Sequence, residues 1–206
     1  MVFLAISAPA WSGVTDFCFQ VDLPIPDGGQ VVSEVGIDAG DKCPPIGDLN
    51  VVLDIAHTRV GDLRVSLGYD FGAGNPHTEV VLDRPGVPGN PAGCEGDDIL
   101  ATIDDEAVLD AESMCLASSP AISGSVIGGD PPDAELLTAF DGDSPCGSWV
   151  LTVEDLAEGD AGNLNEWCIQ VVIAADEPVP ATGHPAIAAL VVLMLASVGL
   201  LVRRAS

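Results

Sequence analysis

Basic side chains are scarce in this sequence. Its 206 residues include six Lys and Arg against 32 Asp and Glu, which gives a formal net charge of −26 at pH 7. Such a surface repels the phosphate backbone of nucleic acids, so the composition argues against nucleic-acid binding. Two interpretations of the charge stay open. The carboxylates either keep the protein soluble in a salty or calcium-containing medium, or some of them bind cations.

Motifs of metal and catalytic sites are also missing. No C-x-x-C pair occurs and the three histidines are scattered, which argues against a zinc cluster. The sequence has no G-x-S-x-G elbow, no H-E-x-x-H helix and no EF-hand pattern. His57 falls on an apolar face with Leu53 and Ile55, and we expect it to be buried and hydrogen-bonded to a neighbouring loop. The sequence therefore assigns no catalytic residue.

The sequence does contain several runs in which apolar and polar residues alternate, which is the pattern of a β-strand with one buried face. Between Asp48 and Leu67, two alternating runs flank residues 59–62 and predict a β-hairpin. Further strands are predicted near Phe17–Leu23 and Glu79–Leu82. A closing hairpin is predicted from two runs that begin with the core residues Trp149 and Trp167.

These stretches resemble, in sequence and in order, the P domain (Homo B domain) that follows the catalytic domain of kexin-like subtilases, the proprotein convertases. The resemblance rests on the run DLNVVLDIAHTRVGDLRVSL and on the later blocks LDRPG, GCEGDDI, ATIDDEA, AFDG, GSWVLTV and GNLNEW. It implies an all-β, jelly-roll β-sandwich of galactose-binding-like type over residues 16–174. It also implies an association with serine-type endopeptidases and proteolysis. In that family the catalytic Asp, His and Ser belong to a domain that this chain lacks.

Two function classes follow from the resemblance. The chain is either a non-catalytic accessory or binding module, or the C-terminal fragment of a secreted serine endopeptidase whose catalytic domain is encoded upstream or on another chain. The expected partner is an extracellular protein or a protease catalytic domain. Reading the DNA upstream of Met1 would distinguish the two.

Six cysteines at wide spacing favour disulfides in an exported protein. Six cysteines allow 15 pairings. We predict sequential pairing because each pair would then enclose one local unit. The predicted disulfides are Cys18–Cys43, Cys94–Cys115 and Cys146–Cys168.

Acidic residues crowd the segment from position 97 to 112, where seven carboxylates would repel one another unless hydrated or neutralised by a cation. Calcium accepts 6–8 oxygen ligands in irregular loops. We therefore predict a calcium site with four leading ligands, the alternative being a solvated loop. A weaker acidic cluster comprises Glu154, Asp155, Glu158 and Asp160. The predicted ligands are Asp97, Asp98, Asp104 and Asp105.

Both ends of the chain have the composition of export signals. Residues 1–10 are apolar and end in small residues, which indicates a truncated signal peptide, although an ordinary disordered N-terminus stays open. Residues 175–185 form a spacer whose VPATG stretch is similar to the sortase motif LPxTG, with Val in place of Leu. Its matching residues are Pro180, Thr182 and Gly183.

A membrane anchor is predicted after this spacer. Residues 186–202 contain no charge, and as a helix they would span about 26 Å, close to the ~30 Å hydrocarbon core. Arg203 and Arg204 in the tail 203–206 would then lie in the cytoplasm. The sequence thus predicts an exported, single-pass protein of the cell membrane or cell surface, with its β-domain outside.

Overall fold

The computed structural model describes residues 13–38, 43–70, 77–87, 89–129 and 137–173. Within these ranges the chain forms ten β-strands, two short 3-10 helices and no α-helix. No helix in this part of the chain is long and apolar enough to cross a membrane. The predicted signal peptide (1–10), spacer (175–185), membrane helix (186–202) and tail (203–206) lie outside the described residues.

The strands form two sheets that share one core. The six-stranded sheet has the order β1-β10-β3-β6-β8-β7, and the four-stranded sheet has the order β2-β9-β4-β5. All pairings are antiparallel except β6 with β8 and β7 with β8. The strands are β1 (Val14–Ile25), β2 (Gln30–Ile37), β3 (Ile46–His57), β4 (Leu63–Asp70), β5 (His77–Asp83), β6 (Ile99–Ile103), β7 (Leu109–Asp110), β8 (Ile122–Ile127), β9 (Gly147–Asp155) and β10 (Gly162–Ile173); the 3-10 helices are Val60–Asp62 and Leu137–Phe140.

The core is built from the alternating apolar residues of both sheets, as the period of two predicts. Trp149 and Trp167 are 0% exposed. Each indole N–H has an acceptor, the Pro145 carbonyl oxygen at 2.8 Å for Trp149 and Ser33 Oγ at 3.0 Å for Trp167. Burying both rings without losing a hydrogen bond stabilises the interior. The prediction of an all-β fold with two core tryptophans is confirmed.

Both predicted hairpins are wrong. β3 and β4 belong to different sheets, and the 3-10 helix Val60–Asp62 carries the chain from one to the other. β9 and β10 likewise lie in different sheets. Alternation shows which residues of a strand face the core, but a strand of either sheet satisfies it equally. Two strands that follow each other in the sequence therefore have the pattern of a hairpin, although they lie in different sheets and face each other across the core.

The disulfide prediction is right for Cys94–Cys115 and wrong for the other two pairs, which are Cys18–Cys168 and Cys43–Cys146. The reason is the strand order. Cys18 and Cys168 lie directly opposite each other because the first strand pairs with the last. The segments before β3 and β9 are also joined, since the Ile46 N–H donates to the Asp143 carbonyl oxygen at 2.8 Å.

Candidate functional site

His57 lies at the crossover from the six-stranded to the four-stranded sheet. It ends β3, and its side chain is fully buried beside that of Asp155, which ends β9, with Nε2 3.5 Å from Asp155 Oδ2. Its Nδ1 lies 2.9 Å from the Arg59 carbonyl oxygen and 3.1 Å from the Arg59 backbone N. The predicted buried histidine with a loop partner is confirmed.

The surroundings of His57 suit a structural pair. Both ring nitrogens face polar groups of the interior, one the Arg59 backbone and the other a carboxylate. Asp155 also accepts hydrogen bonds from the backbone N–H groups of Gly28 and Ala157, at 3.3 and 3.2 Å. A general base needs a ring nitrogen within reach of a nucleophile or substrate. Neither nitrogen of His57 is placed for that role.

The arginines of the described residues surround the same crossover. Arg59 Nε lies 3.5 Å from Asp62 Oδ1, and Arg64 Nε donates to Asp83 Oδ1 at 2.9 Å. Burial raises the pKa of Asp62, while Arg59 and, more weakly, Arg84 act in the opposite direction. The Arg64–Asp83 pair joins β4 to β5, and the Arg59–Asp62 pair lies within the connection from β3 to β4, so the charges here support the fold.

Asp98, a predicted calcium ligand, is used by the fold instead. Its Oδ1 accepts the His57 backbone N–H at 3.0 Å, and its Oδ2 accepts the Ser119 hydroxyl at 2.5 Å. Asp98 has a φ of +64°, which is uncommon for a residue with a side chain. Its neighbour Asp97 is exposed, and the two border a cavity of about 310 Å³ next to Thr58.

The four predicted ligands do not form one site. Strand β6, Ile99–Ile103, separates Asp97 and Asp98 from Asp104 and Asp105. At about 3.3 Å per residue, the step from position 98 to 104 spans roughly 20 Å. A calcium ion binds its ligands at about 2.3–2.6 Å, so the two pairs cannot share one ion. The prediction of a single four-aspartate site is therefore wrong.

Asp104 and Asp105 instead belong to an acidic end of the six-stranded sheet, which we define as Asp48, Asp104, Asp105, Glu106 and Asp141. Asp104 accepts the Ser125 hydroxyl at 2.8 Å and the Glu106 backbone N–H at 2.9 Å. Asp105 Oδ2 accepts both the backbone N–H and the hydroxyl of Thr138, each at 2.9 Å.

Burial, and after it repulsion between carboxylates, raises three pKa values at this acidic end. The pKa of Asp48 is raised by burial and then by Asp104 and Asp105. The pKa of Glu106 is raised by burial, by Asp48 and by Asp104, and that of Asp141 by burial, by Asp48 and by Asp105. The sequence did not point to Asp48 or Asp141, because both are distant from the acidic segment. Only the pairing of β3 with β6 could have indicated Asp48.

The weaker acidic cluster also has a structural explanation. Asp155 is the partner of His57, and Asp160 Oδ1 accepts the Thr58 hydroxyl at 2.7 Å. Glu154 lies opposite Arg64 in the pairing of β4 with β9. Asp155 and Asp160 thus hold the crossover together, whereas Glu158 is exposed.

Comparison with protein families finds no matching family model. Among curated proteins, the chain is similar to two calcium-dependent proteases. It is 29% identical over 158 residues to that of Trichormus variabilis, a match that covers 77% of this chain and 18% of the protease. It is 31% identical over 127 residues to that of a Nostoc species, covering 62% of this chain and 14% of the protease. The chain thus spans less than a fifth of the length of these relatives.

Among solved structures, the serine protease of Aeromonas sobria is similar at low scores. In complex with its chaperone it gives a TM-score of 0.42 at 13% identity, covering 79% of this chain and 28% of that one. Alone it gives a TM-score of 0.41 at 12% identity, covering 82% and 28%. The sequence matches establish distant homology between this β-domain and part of calcium-dependent proteases.

Proposed function

We propose that this chain is a non-catalytic P/Homo B domain of jelly-roll type that accompanies a serine-type endopeptidase. The observation that carries the proposal is the extent of the sequence match. The match covers 77% of this chain but only 18% of the Trichormus variabilis protease. The shared part is therefore this β-domain, and most of the protease lies outside the match. The partner is a protease catalytic domain, or another extracellular protein.

The crossover supports a non-catalytic role. His57 has a buried acid beside it, as a catalytic histidine often does, yet its other nitrogen faces the Arg59 backbone. A catalytic triad needs that nitrogen for the nucleophile. The polar residues here therefore explain the stability of the fold rather than a reaction.

Export and membrane anchoring complete the proposal. Three disulfides join the described strands and loops, and disulfides persist in oxidising compartments outside the cytosol. The uncharged run 186–202 followed by two arginines supports a single-pass anchor with the β-domain outside. The VPATG stretch with Pro180, Thr182 and Gly183 is a candidate sorting motif.

Calcium is the proposed cofactor. The homologous proteases are named calcium-dependent, and the acidic end presents the hard oxygen groups that calcium prefers. Asp104 and Asp105 from the predicted ligand set belong to that end. Asp97 and Asp98 lie at the other end of β6.

A domain exchange tests the association with proteolysis. The segment of the Trichormus variabilis protease that matches this chain is replaced by residues 13–173, and a deletion of the same segment serves as the control. We expect the chimera to retain proteolytic activity and a longer thermal half-life than the deletion. A chimera that is as inactive and as unstable as the deletion would contradict the proposal.

The second candidate is a C-terminal fragment of a secreted endopeptidase. The small share of the relatives that this chain covers favours it. Sequencing the DNA and the transcript upstream of the first codon distinguishes the two. An in-frame subtilisin-like domain would support the fragment, and a complete signal peptide would support the separate module.

A further inference from the structure

Asn50 presents a buried oxygen atom without a hydrogen-bond partner. The residue lies on β3 and is only 9% exposed, and its Oδ1 is one of few buried side-chain atoms in the described ranges that lack a hydrogen bond. Leaving such an acceptor unsatisfied in the interior is destabilising. Because buried polar atoms normally have a hydrogen-bond partner, we expect this oxygen to bind a group that the protein itself does not supply.

A chain of side-chain amides fixes the direction of this oxygen. Asn50 Nδ2 donates to Gln170 Oε1 at 3.4 Å, and Gln170 Nε2 donates to Asp16 Oδ1 at 2.9 Å. Because Asp16 accepts only from the nitrogen of Gln170, the Gln170 oxygen must face Asn50, and so the Asn50 nitrogen must face Gln170. The Asn50 oxygen is then turned away from β10.

On its other side β3 pairs with β6, and the register brings the acidic end to Asn50. Val51 pairs with Ile103 and Val52 with Thr102. Continued by one residue, this register sets Asn50 opposite Asp104, which begins a turn closed by the Ala107 N–H donating to the Asp104 carbonyl oxygen at 3.1 Å. Asp48 interacts electrostatically with both Asp104 and Glu106, so these three carboxylates lie near one another. Cross-strand partners point to the same face of a sheet. The unpaired oxygen of Asn50 is thus directed towards the edge of β3 at which these carboxylates lie.

No described basic side chain neutralises this group. Arg59 pairs with Asp62 and Glu95, Arg64 pairs with Asp83, and Arg84 acts on Asp62 at the opposite end of the sandwich. Lys42 lies outside the described residues. A cation would satisfy the Asn50 oxygen and the repelling carboxylates at once.

We infer that Asp48, Asn50, Asp104 and Glu106 form a calcium site at the β3–β6 end of the six-stranded sheet. The donors are carboxylate and amide oxygens, without nitrogen or sulfur, and calcium accepts this set in irregular geometry. Among the described residues, no three carboxylates hold one oxygen each within 4.8 Å of one another. Binding therefore includes side-chain rotations that draw Asp48 and Glu106 inwards. This inference rests on the calcium binding proposed above and names its residues.

Calcium titration of the purified 206-residue chain tests the site. For each variant, the melting temperature with calcium is compared with the melting temperature in EGTA. The difference between the two does not depend on how the substitution changes the stability of the calcium-free protein. Asp104→Asn removes one charge, and Asn50→Leu removes the amide oxygen but keeps the branched shape of the side chain. Asp97→Asn, an exposed change at the other end of β6, is the matched control. Isothermal calorimetry gives the affinity.

We expect calcium to raise the melting temperature of the unchanged chain and of Asp97→Asn. Asp104→Asn and Asn50→Leu should bind calcium about tenfold or more weakly and lose most of the shift. If both variants keep the full shift, calcium binds elsewhere and the site is wrong although calcium binding stands. If the unchanged chain shows no shift and no binding heat, both the site and the proposed cofactor are wrong, whereas the domain exchange still decides the association with a protease.

Discussion

His57 Nε2 lies 3.5 Å from Asp155 Oδ2, and both side chains are fully buried. His57 ends a strand of the six-stranded sheet and Asp155 ends a strand of the four-stranded sheet, so the pair joins the two layers of the fold. Removing one member of a buried pair leaves the other uncompensated.

Asp155→Ala should therefore lower the free energy of unfolding by about 3–5 kcal/mol. His57 loses its carboxylate partner, and the backbone N–H groups of Gly28 and Ala157 lose their acceptor. Urea denaturation measures the change. Glu158→Ala, an exposed change three residues away, is the control and should stay within about 0.5 kcal/mol. Equal effects of both variants would contradict the structural role of the pair.

The disulfides give a second prediction. Peptide mapping without reduction should recover Cys18–Cys168, Cys43–Cys146 and Cys94–Cys115. The double variant Cys18→Ser/Cys168→Ser should be less stable by about 2–5 kcal/mol, since that bond closes a very long loop. Recovery of Cys18 linked to Cys43 would show that the pairing of the first strand with the last is wrong.

The acidic end predicts how stability depends on pH. In the fold the pKa values of Asp48, Glu106 and Asp141 are raised, so at mildly acidic pH the folded chain binds more protons than the unfolded chain. The contribution of these groups to stability therefore rises as pH falls through their raised pKa values, and levels off below the ordinary carboxyl range. Calcium favours the charged forms and should remove this gain.

This dependence is measured by denaturation in EGTA between pH 7 and pH 4. The double variant Asp48→Asn/Asp141→Asn should gain less stability on acidification than the unchanged chain does. Asp97→Asn again serves as the control. Identical pH profiles for all three proteins would show that the repulsion at the acidic end does not affect folding.

Membrane attachment is tested by truncation. Deleting residues 186–206 should release the protein from the membrane fraction into the medium, because the uncharged run and its arginine stop are then absent. Exchanging the two final arginines for lysine keeps the charge and should keep the attachment. Retention of the truncated chain in the membrane fraction would contradict the anchor.

Six of the ten strands, β1, β3, β4, β5, β9 and β10, are predicted by the sequence, because alternation shows directly which side chains face the core, whereas β2, β6, β7 and β8 are not predicted. Leu53 and Ile55 are 0% exposed, and the two core tryptophans were identified from the same pattern. Sheet membership was not predictable in this way. The segment between β3 and β4 reads as a turn whether the next strand pairs with the last one or crosses to the other sheet.

The candidate sites were harder to predict because they depend on pairing between distant strands. Asp97, Asp98, Asp104 and Asp105 are close in sequence, yet strand β6 separates them into two pairs. The sequence does not indicate Asn50 as a site residue, because a single asparagine within a strand has no pattern that predicts ligand binding. Its importance follows from the register with β6 and from the hydrogen bond to Gln170.

The most direct test of the central claim is a peptidase assay of the purified chain by itself, with a broad peptide mixture and with calcium present. We predict no hydrolysis above that of a heat-denatured sample, because the nitrogens of His57 face the Arg59 backbone and Asp155. Hydrolysis that disappears in His57→Ala, while circular dichroism shows the variant to be folded, would contradict the account and identify the chain as an enzyme.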